Sequence, residues 1–316
     1  MTRRLLSLLA LGYSLSLASP TQAVRAPKVT ELLKFPNATR IENFNVLPNG
    51  HLLVTTLSSS DVFTVDPDAP SPQPEKVVTL EGSKLLFGVT PLANGLYAIS
   101  GGAASAIPNR YEDSKIHIIS LASKSAIDSI SVPDVEFLNG LVTLPKRPHV
   151  ILGADSFGGR IVRIDTHTRE TTIAWAHESL GWGTNSTGFQ LGVNGIRIRD
   201  GYLYFSNARL GTFSRIRIDD DGKIIGKPKV IAYLPGLEDG AHLFDDFDFD
   251  REGNAYVTAH PSSLVKITPG GKLTTVVGGD GTTTLSAPTS AGFAKDGRTL
   301  YVTSMTAQVV KVVFPW

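Results

Sequence analysis

GVNGIRIRDGYLYFSN, residues 192–207, holds the pattern that decides the fold. The segment IRIRDG (Ile196 to Gly201) ends in an Asp-Gly turn, and the run YLYFSN (Tyr202 to Asn207) follows at once. Two β-rich runs joined by Asp-Gly read as a tight hairpin, since such dipeptides tolerate the positive φ angles the turn demands. The second run recurs as Leu52 to Thr56 (LLVTT), Gly95 to Ser100 (GLYAIS), His149 to Ala154 (HVILGA), Asn254 to Ala259 (NAYVTA) and Thr299 to Ser304 (TLYVTS). The six copies start 43 to 54 residues apart. Six units at a period of about 50 are the signature of a β-propeller, each unit being a four-stranded sheet that needs neighbours on both faces.

The flanking segments complete the unit. FNVLPNG (Phe44 to Gly50) and DFDREGN (Asp248 to Asn254) supply strand and turn before the anchor; DVFTVD, KIHIIS, RIVRID, SRIRID, SLVKIT and QVVKVV follow it. Outer strands then read at EKVVTL, AIDSIS, TTIAWA, KVIAYL and KLTTVV, five for six blades. The N-terminal run Lys28 to Phe35 (KVTELLKF) is expected to supply the sixth, pairing with the strand that ends near Phe314 and covering an open sheet edge. Beyond about residue 28 no apolar stretch has helical spacing. The expected fold is all-β, one six-bladed propeller over residues 24–316, closed by an N-terminal strand.

Residues 1–23 have the layout of a secretory signal peptide: Arg3 and Arg4, an apolar stretch from Leu5 to Ala18, then small residues at Ser16-x-Ala18 or Thr21-x-Ala23. That stretch is too short for a comfortable membrane span. The protein is expected to be secreted or to enter a secretory lumen, with no membrane span after cleavage, and to be a monomer. Asn37 and Asn185 stand in sequons that would carry glycans. There is no cysteine, which excludes disulfides, thiol catalysis and thiolate metal sites together. With 30 Lys+Arg against 29 Asp+Glu and no basic run, nucleic acid is not an expected partner.

In a propeller the innermost strands start together at one face. Those starts read Glu42-Asn43, Phe87-Gly88, Asn139-Gly140, Asn194-Gly195, Asp245-Asp246 and Thr289-Ser290. Carboxylates and amides converging from several blades suit a hard divalent cation; singly, each also makes a turn or satisfies a strand end. A long crossing, His177 to Gly192, carries Trp182 either as a lid over an apolar ligand or as a plug in its own small core. A second long loop, Gly101 to Ser114, brings Asn109, Arg110 and Tyr111 to the same face. His242 and His260 are expected there as proton carriers or as structural residues. No nucleophile elbow, phosphate loop or HExxH motif is present.

The motifs RIENF (Glu42), GVNGIRIRDGYLYFSN (Asn194) and DDFDFDREGNAYV (Asp245) resemble those of SMP-30/gluconolactonase-like propellers, across nearly the whole mature length. That resemblance implies Glu42, Asn194 and Asp245 as ligands of Ca²⁺ or another divalent metal, with Asp245 as base in lactone hydrolysis. Leu86-Phe87-Gly88 departs from the family asparagine on the second blade, and Asn43-Phe44 from its glycine-proline, so an apolar side chain stands where a sugar hydroxyl would be held. A secreted, cysteine-free chain with an apolar mouth looks more like the divergent fungal branch that includes hetero-Diels-Alderases of tropolonic sesquiterpenoid biosynthesis. The implied function is cofactor-free union of a quinone-methide tropolone or phenol with a terpene alkene. Asp245, His242 and His260 would be the catalytic groups, and Phe87, Tyr111, Asn139, Trp182 and Asn207 would contact an apolar small-molecule substrate. A metal-dependent lactonase or ester hydrolase is the alternative, and a non-catalytic ligand-binding propeller the second alternative.

Overall fold

The computed structural model describes residues 26–36, 39–107, 110–183, 190–236, 242–279 and 281–316. Residues 1–23, Asn37, Asn109 and Asn185, named above, lie outside the described residues. Six four-stranded antiparallel sheets form the molecule. Their innermost strands are Ile41–Val46, Leu85–Pro91, Leu138–Leu144, Val193–Arg199, Leu243–Phe249 and Pro288–Phe293. Each touches the next, and the sixth touches the first, so the sheets are blades around one channel. The anchor runs are the second strands: Leu52–Thr56, Leu96–Ala104, Arg147–Asp155, Tyr202–Asn207, Ala255–His260 and Thr299–Ser304. Asp200 and Gly201 both have positive φ, as the hairpin reading requires.

Lys28–Lys34 pairs antiparallel with Gln308–Val313 and forms the outer edge of the sixth blade, so the two ends of the propeller domain share one sheet. Apolar side chains fill all six gaps between blades. Leu144, Leu152, Ile196 and Phe205 belong to one such cluster, between the third and fourth blades; Leu33, Ile41, Phe44 and Val309 belong to the one that closes the ring. Every residue of Leu52–Thr56 is buried, because a second strand is covered on both faces.

One expectation is corrected. Gly101 to Ser114 is largely not a loop: the second blade's hairpin runs on through Leu96–Ala104 and Tyr111–Ser120, with Ala104 opposite Tyr111. The small residues of GGAAS hide the strand from a propensity reading, yet they are required by close approach. A Cβ on Gly101 would stand 2.6 Å from Ser83 Oγ, and one on Gly102 would stand 2.9 Å from the Glu112 carbonyl. The extension carries Tyr111 over the channel mouth.

A belt of hydroxyl-to-carbonyl hydrogen bonds links successive blades. Thr55 donates to the Phe87 carbonyl, Ser100 to Asn139, Ser156 to Val193, Ser206 to Asp245, and Thr258 to Thr289. Thr289 bonds Thr303 and donates to the Ile41 carbonyl, closing the circle. These hydroxyls lie in or beside the anchor strands, deep in the structure. Thr258 is shared between the Asp246 and Thr289 carbonyls at 2.8 and 2.9 Å. Thr258→Val keeps the shape and removes the donor, so it should cost about 1–2 kcal/mol; Thr258→Ser should cost less. Urea unfolding of the three proteins checks this, and equal midpoints for Val and Thr would contradict it.

Candidate functional site

Each innermost strand breaks register with its neighbour near its start, and these breaks coincide. They fall between Ile41 and Asn43, Leu86 and Val89, Leu138 and Leu141, Val193 and Ile196, Phe244 and Phe247, and Pro288 and Ala291. These bulges hold the six dipeptide starts read from the sequence. A bulge puts an extra residue into the strand and re-aims its side chain; repeated six times, it makes a ring of side chains around the channel.

The second residues of these pairs close the channel. In the middle blades they are Gly88, Gly140 and Gly195, where a Cβ would collide with the Asn139 carbonyl, the Asn194 carbonyl and Asp246 respectively. On the other side Asp246 accepts from Arg197 at 2.8 Å, Asn43 Nδ2 at 3.0 Å, Ser290 Oγ at 3.1 Å and the Phe247 N–H at 2.8 Å. Its charge is fully met.

The first residues form an acid centre that is not. Glu42 and Asp245 are 7% and 8% exposed. Burial, then the charges of Asp245 and Asp246, hold the Glu42 carboxyl well above the usual carboxylate range, against the opposing pull of Arg40. Burial likewise raises Asp245, while a hydrogen bond from His260 and one from the Asn194 amide lower it. His260 Nε2 stands 3.3 Å from Asp245 Oδ2. Asn194 gives its N–H to Asp245, and its Oδ1 is buried without a hydrogen-bond partner. Two carboxylates and an unpartnered amide oxygen fit a hard divalent cation. Among the described residues no group of three or more His, Cys, Asp or Glu is arranged as a metal site, so the amide would be an essential member.

Above the acid centre lies a seventh apolar cluster, absent from the sequence reading except for Phe87 and Tyr111. Leu57, Phe87, Phe137, Phe157, Leu191 and Ala208 are buried in it, and Leu85, Tyr111, Leu243 and Met305 pack against it. Every blade contributes. Tyr111 stacks on Phe157 with centroids 5.8 Å apart and planes 8° from parallel; Phe87 and Phe137 meet edge to face at 4.7 Å. Burial and the nearby Glu42 push the Tyr111 phenol up, so it keeps its proton at neutral pH. Arg110 covers Phe157 and pairs with Glu136 at 3.1 Å.

The remaining candidates have separate places. Trp182 donates from Nε1 to the Phe157 carbonyl at 3.2 Å, which fixes the indole at the rim. Asn207 has both amide protons committed to the Ser179 and Gly181 carbonyls and accepts from the Leu210 N–H, so it braces the crossing loop. Asn139 is buried at the third-blade bulge. His242 packs against Gly236 in a cleft that it lines together with His260.

Glu42 has a raised pKa in the fold, so its contribution to stability is complete below the ordinary carboxylate pKa and is lost as pH rises through the folded value. In chelator-treated protein, Glu42→Gln should therefore melt a few degrees higher than the parent above neutral pH, with the gap shrinking towards pH 4. Melting curves across that range check it; a constant gap would place the Glu42 carboxyl in the ordinary range.

No family model matches the chain. A Phoma sp. protein named "Putative hetero-Diels-Alderase" is 27% identical over 305 residues, covering 86% of this chain and 85% of its own. A protein of the same description from Sarocladium schorii is 26% identical over 306 residues, covering 85% and 76%. Among solved structures, a gluconolactonase from Xanthomonas campestris superimposes with a TM-score of 0.67 at 14% identity, covering 92% of this chain and 91% of that one. The chain is thus a six-bladed β-propeller with the fold of a gluconolactonase, and its sequence is similar over most of its length to proteins named as hetero-Diels-Alderases.

Proposed function

We propose that the channel mouth catalyses a hetero-Diels-Alder reaction, joining a quinone methide formed from a hydroxymethyl tropolone or phenol to an alkene. The observation that carries this reading is the apolar ring drawn from all six blades and standing over a buried acid pair. Water and sugars are poor company for such a ring, whereas a conjugated planar molecule would gain by packing against its apolar surface, where Tyr111 is the half-buried aromatic member. The names of the two relatives point to the same chemistry.

Glu42, protonated above the usual range, gives its proton to the hydroxyl of the hydroxymethyl group as the C–O bond breaks, and water leaves. The Asp245–His260 pair takes the proton of the ring hydroxyl, so the neutral quinone methide results. Its O=C–C=C unit then adds across the alkene: one C–O and one C–C bond form, and nothing further leaves. Tyr111 keeps its proton and donates a hydrogen bond to the heterodiene oxygen, drawing electron density from it. Holding two reactants in register supplies several kcal/mol of the barrier, up to about 7–11 in the best intramolecular models. On this reading the leader at residues 1–23 delivers the enzyme to a secretory lumen or beyond it.

A second reading rests on the unpartnered Asn194 Oδ1 beside Glu42 and Asp245. These three would hold a divalent cation, which would polarise a lactone carbonyl. Asp245, hydrogen-bonded to His260, would then take a proton from the attacking water.

Incubation of a hydroxymethyl tropolone with an alkene separates the two. We expect one stereoisomer of a dihydropyran adduct, formed in the presence of chelator. Glu42→Gln should slow formation of the quinone methide by about 10²-fold or more, the range of general acid catalysis, and Phe157→Ala should lower stereoselectivity. A product ratio equal to that in buffer would sink the pericyclase; loss of a hydrolytic activity on metal removal would establish the hydrolase.

A further inference from the structure

A cleft opens on the face opposite the mouth, where the inner hairpins of the fourth and fifth blades end. It measures about 190 Å³, with Arg199, Tyr204 and Arg215 on the fourth-blade side and Phe249, Glu252 and Pro269 on the fifth. Tyr204 and Phe249 are half-buried and stand edge to face with centroids 4.8 Å apart. Buried Phe213 lies behind this pair, its centroid 6.1 and 6.4 Å from theirs. The volume is below the roughly 300–1,000 Å³ that encloses a drug-sized ligand, and it suits a molecule of one ring.

The two arginines of the cleft are spent differently. Arg199 donates from Nη1 to the Asp250 carbonyl at 2.8 Å and from Nη2 to the Arg251 carbonyl at 3.0 Å, and it pairs with Asp200 through Nε. Arg215 lies over the Tyr202 ring at 4.6 Å and donates from Nη1 to the Tyr204 hydroxyl at 3.1 Å. It is half-buried, yet among the described residues it has no carboxylate partner. Directly opposite it across the sheet stands Lys229, exposed and, among the described residues, also without an acid. Like charges so placed repel, and partial burial of one of them adds to the cost. The Nε–Nη2 edge of Arg215 has the two parallel donors that a carboxylate accepts in bidentate fashion.

We propose that this cleft is a second binding site, separate from the mouth, for a small aromatic carboxylate. Arg215 grips the carboxylate, Lys229 adds its attraction, and the ring lies against Tyr204 and Phe249. One negative charge relieves the repulsion between the two cations. Glu252, exposed at the rim and without an ion pair among the described residues, opposes a doubly charged phosphate more than a singly charged carboxylate. The site uses no group of the acid centre, so it stands independently of the reaction at the mouth.

Benzoate serves as probe, titrated into the complete protein by calorimetry at constant ionic strength, with benzamide as its neutral counterpart. We expect one benzoate per chain and weaker binding of benzamide. Arg215→Gln, which retains a donor for the Tyr204 hydroxyl, should weaken benzoate binding by about tenfold or more, as loss of a charge-assisted pair does. Lys229→Gln should weaken it by about threefold, the scale of an exposed charge, and Glu252→Gln should tighten it. If Arg215→Gln melts early, Lys229→Gln and the benzamide comparison decide, since both leave the tyrosine contacts in place. Absence of benzoate binding in the parent, equal affinity in folded Arg215→Gln, or benzamide bound as tightly as benzoate overturns the site.

Discussion

Closing six separate sheets into one ring is the constraint on which the rest depends, and the hydroxyl belt meets it. The carbonyls it pins are mostly those of the bulge residues themselves: Phe87, Asn139, Asp245 and Thr289. Phe87 and Asp245 thus offer the carbonyl to the preceding blade and the side chain to the mouth, whereas the Thr289 hydroxyl belongs to the belt itself. Closure and preorganisation are one event, since a group whose backbone is fixed by a neighbouring blade loses little freedom when a ligand arrives. The glycines at 88, 140 and 195 belong to this constraint, because only a bare Cα lets adjacent blades approach so closely there.

Two adjacent acids show how the ring divides its work. Asp246 receives donors from Arg197, Asn43, Ser290 and its own strand, and serves as a filled polar knot in the channel. Asp245, one residue earlier, faces the opposite way and has only His260 and Asn194 against the repulsion of Asp246. Alternation along a strand, amplified by the bulge, therefore places a fully paired carboxyl and a sparsely paired one side by side. Such unrelieved burial of charge is uncommon without function.

The blades were legible because their signals are local: a β-rich run and an Asn-Gly or Asp-Gly turn occupy about a dozen residues, and repetition removes the ambiguity of any single copy. The N-terminal closing strand followed from counting outer strands. The polar half of the site was legible for the same reason, since Glu42, Asn194 and Asp245 fall at equivalent points of successive repeats. The aromatic half was legible only at Phe87 and Tyr111. Phe137 and Phe157 come together only because the third blade's inner strand begins beside the end of its second strand, and neither belongs to a motif. One signal was available: the residue just after the anchor strand is apolar at Leu57, Ala208 and Met305, and the second residue after it is Phe157 in the third blade, where a turn would ordinarily be polar. The hairpin bearing Tyr111 was obscured by small residues chosen for close packing, not for strand propensity.

The mouth is lopsided, and the lopsidedness has a chemical meaning. Aromatic rings gather on the second and third blades, and the carboxyls and His260 on the first and fifth, with Asn194 between them on the fourth. A ligand that satisfied both sides at once would need a flat apolar face and a polar edge. Sugars present hydroxyls in all directions and would leave several facing phenylalanines, each costing a buried unpaired polar group. A planar hydroxy-ketone presents its oxygens along one edge only, and in the proposed reaction that edge would meet Tyr111 and Glu42. On the proposed reading, the distribution of side chains around the ring would select for molecular shape as much as for reaction, with a backbone that is nearly the same in every blade.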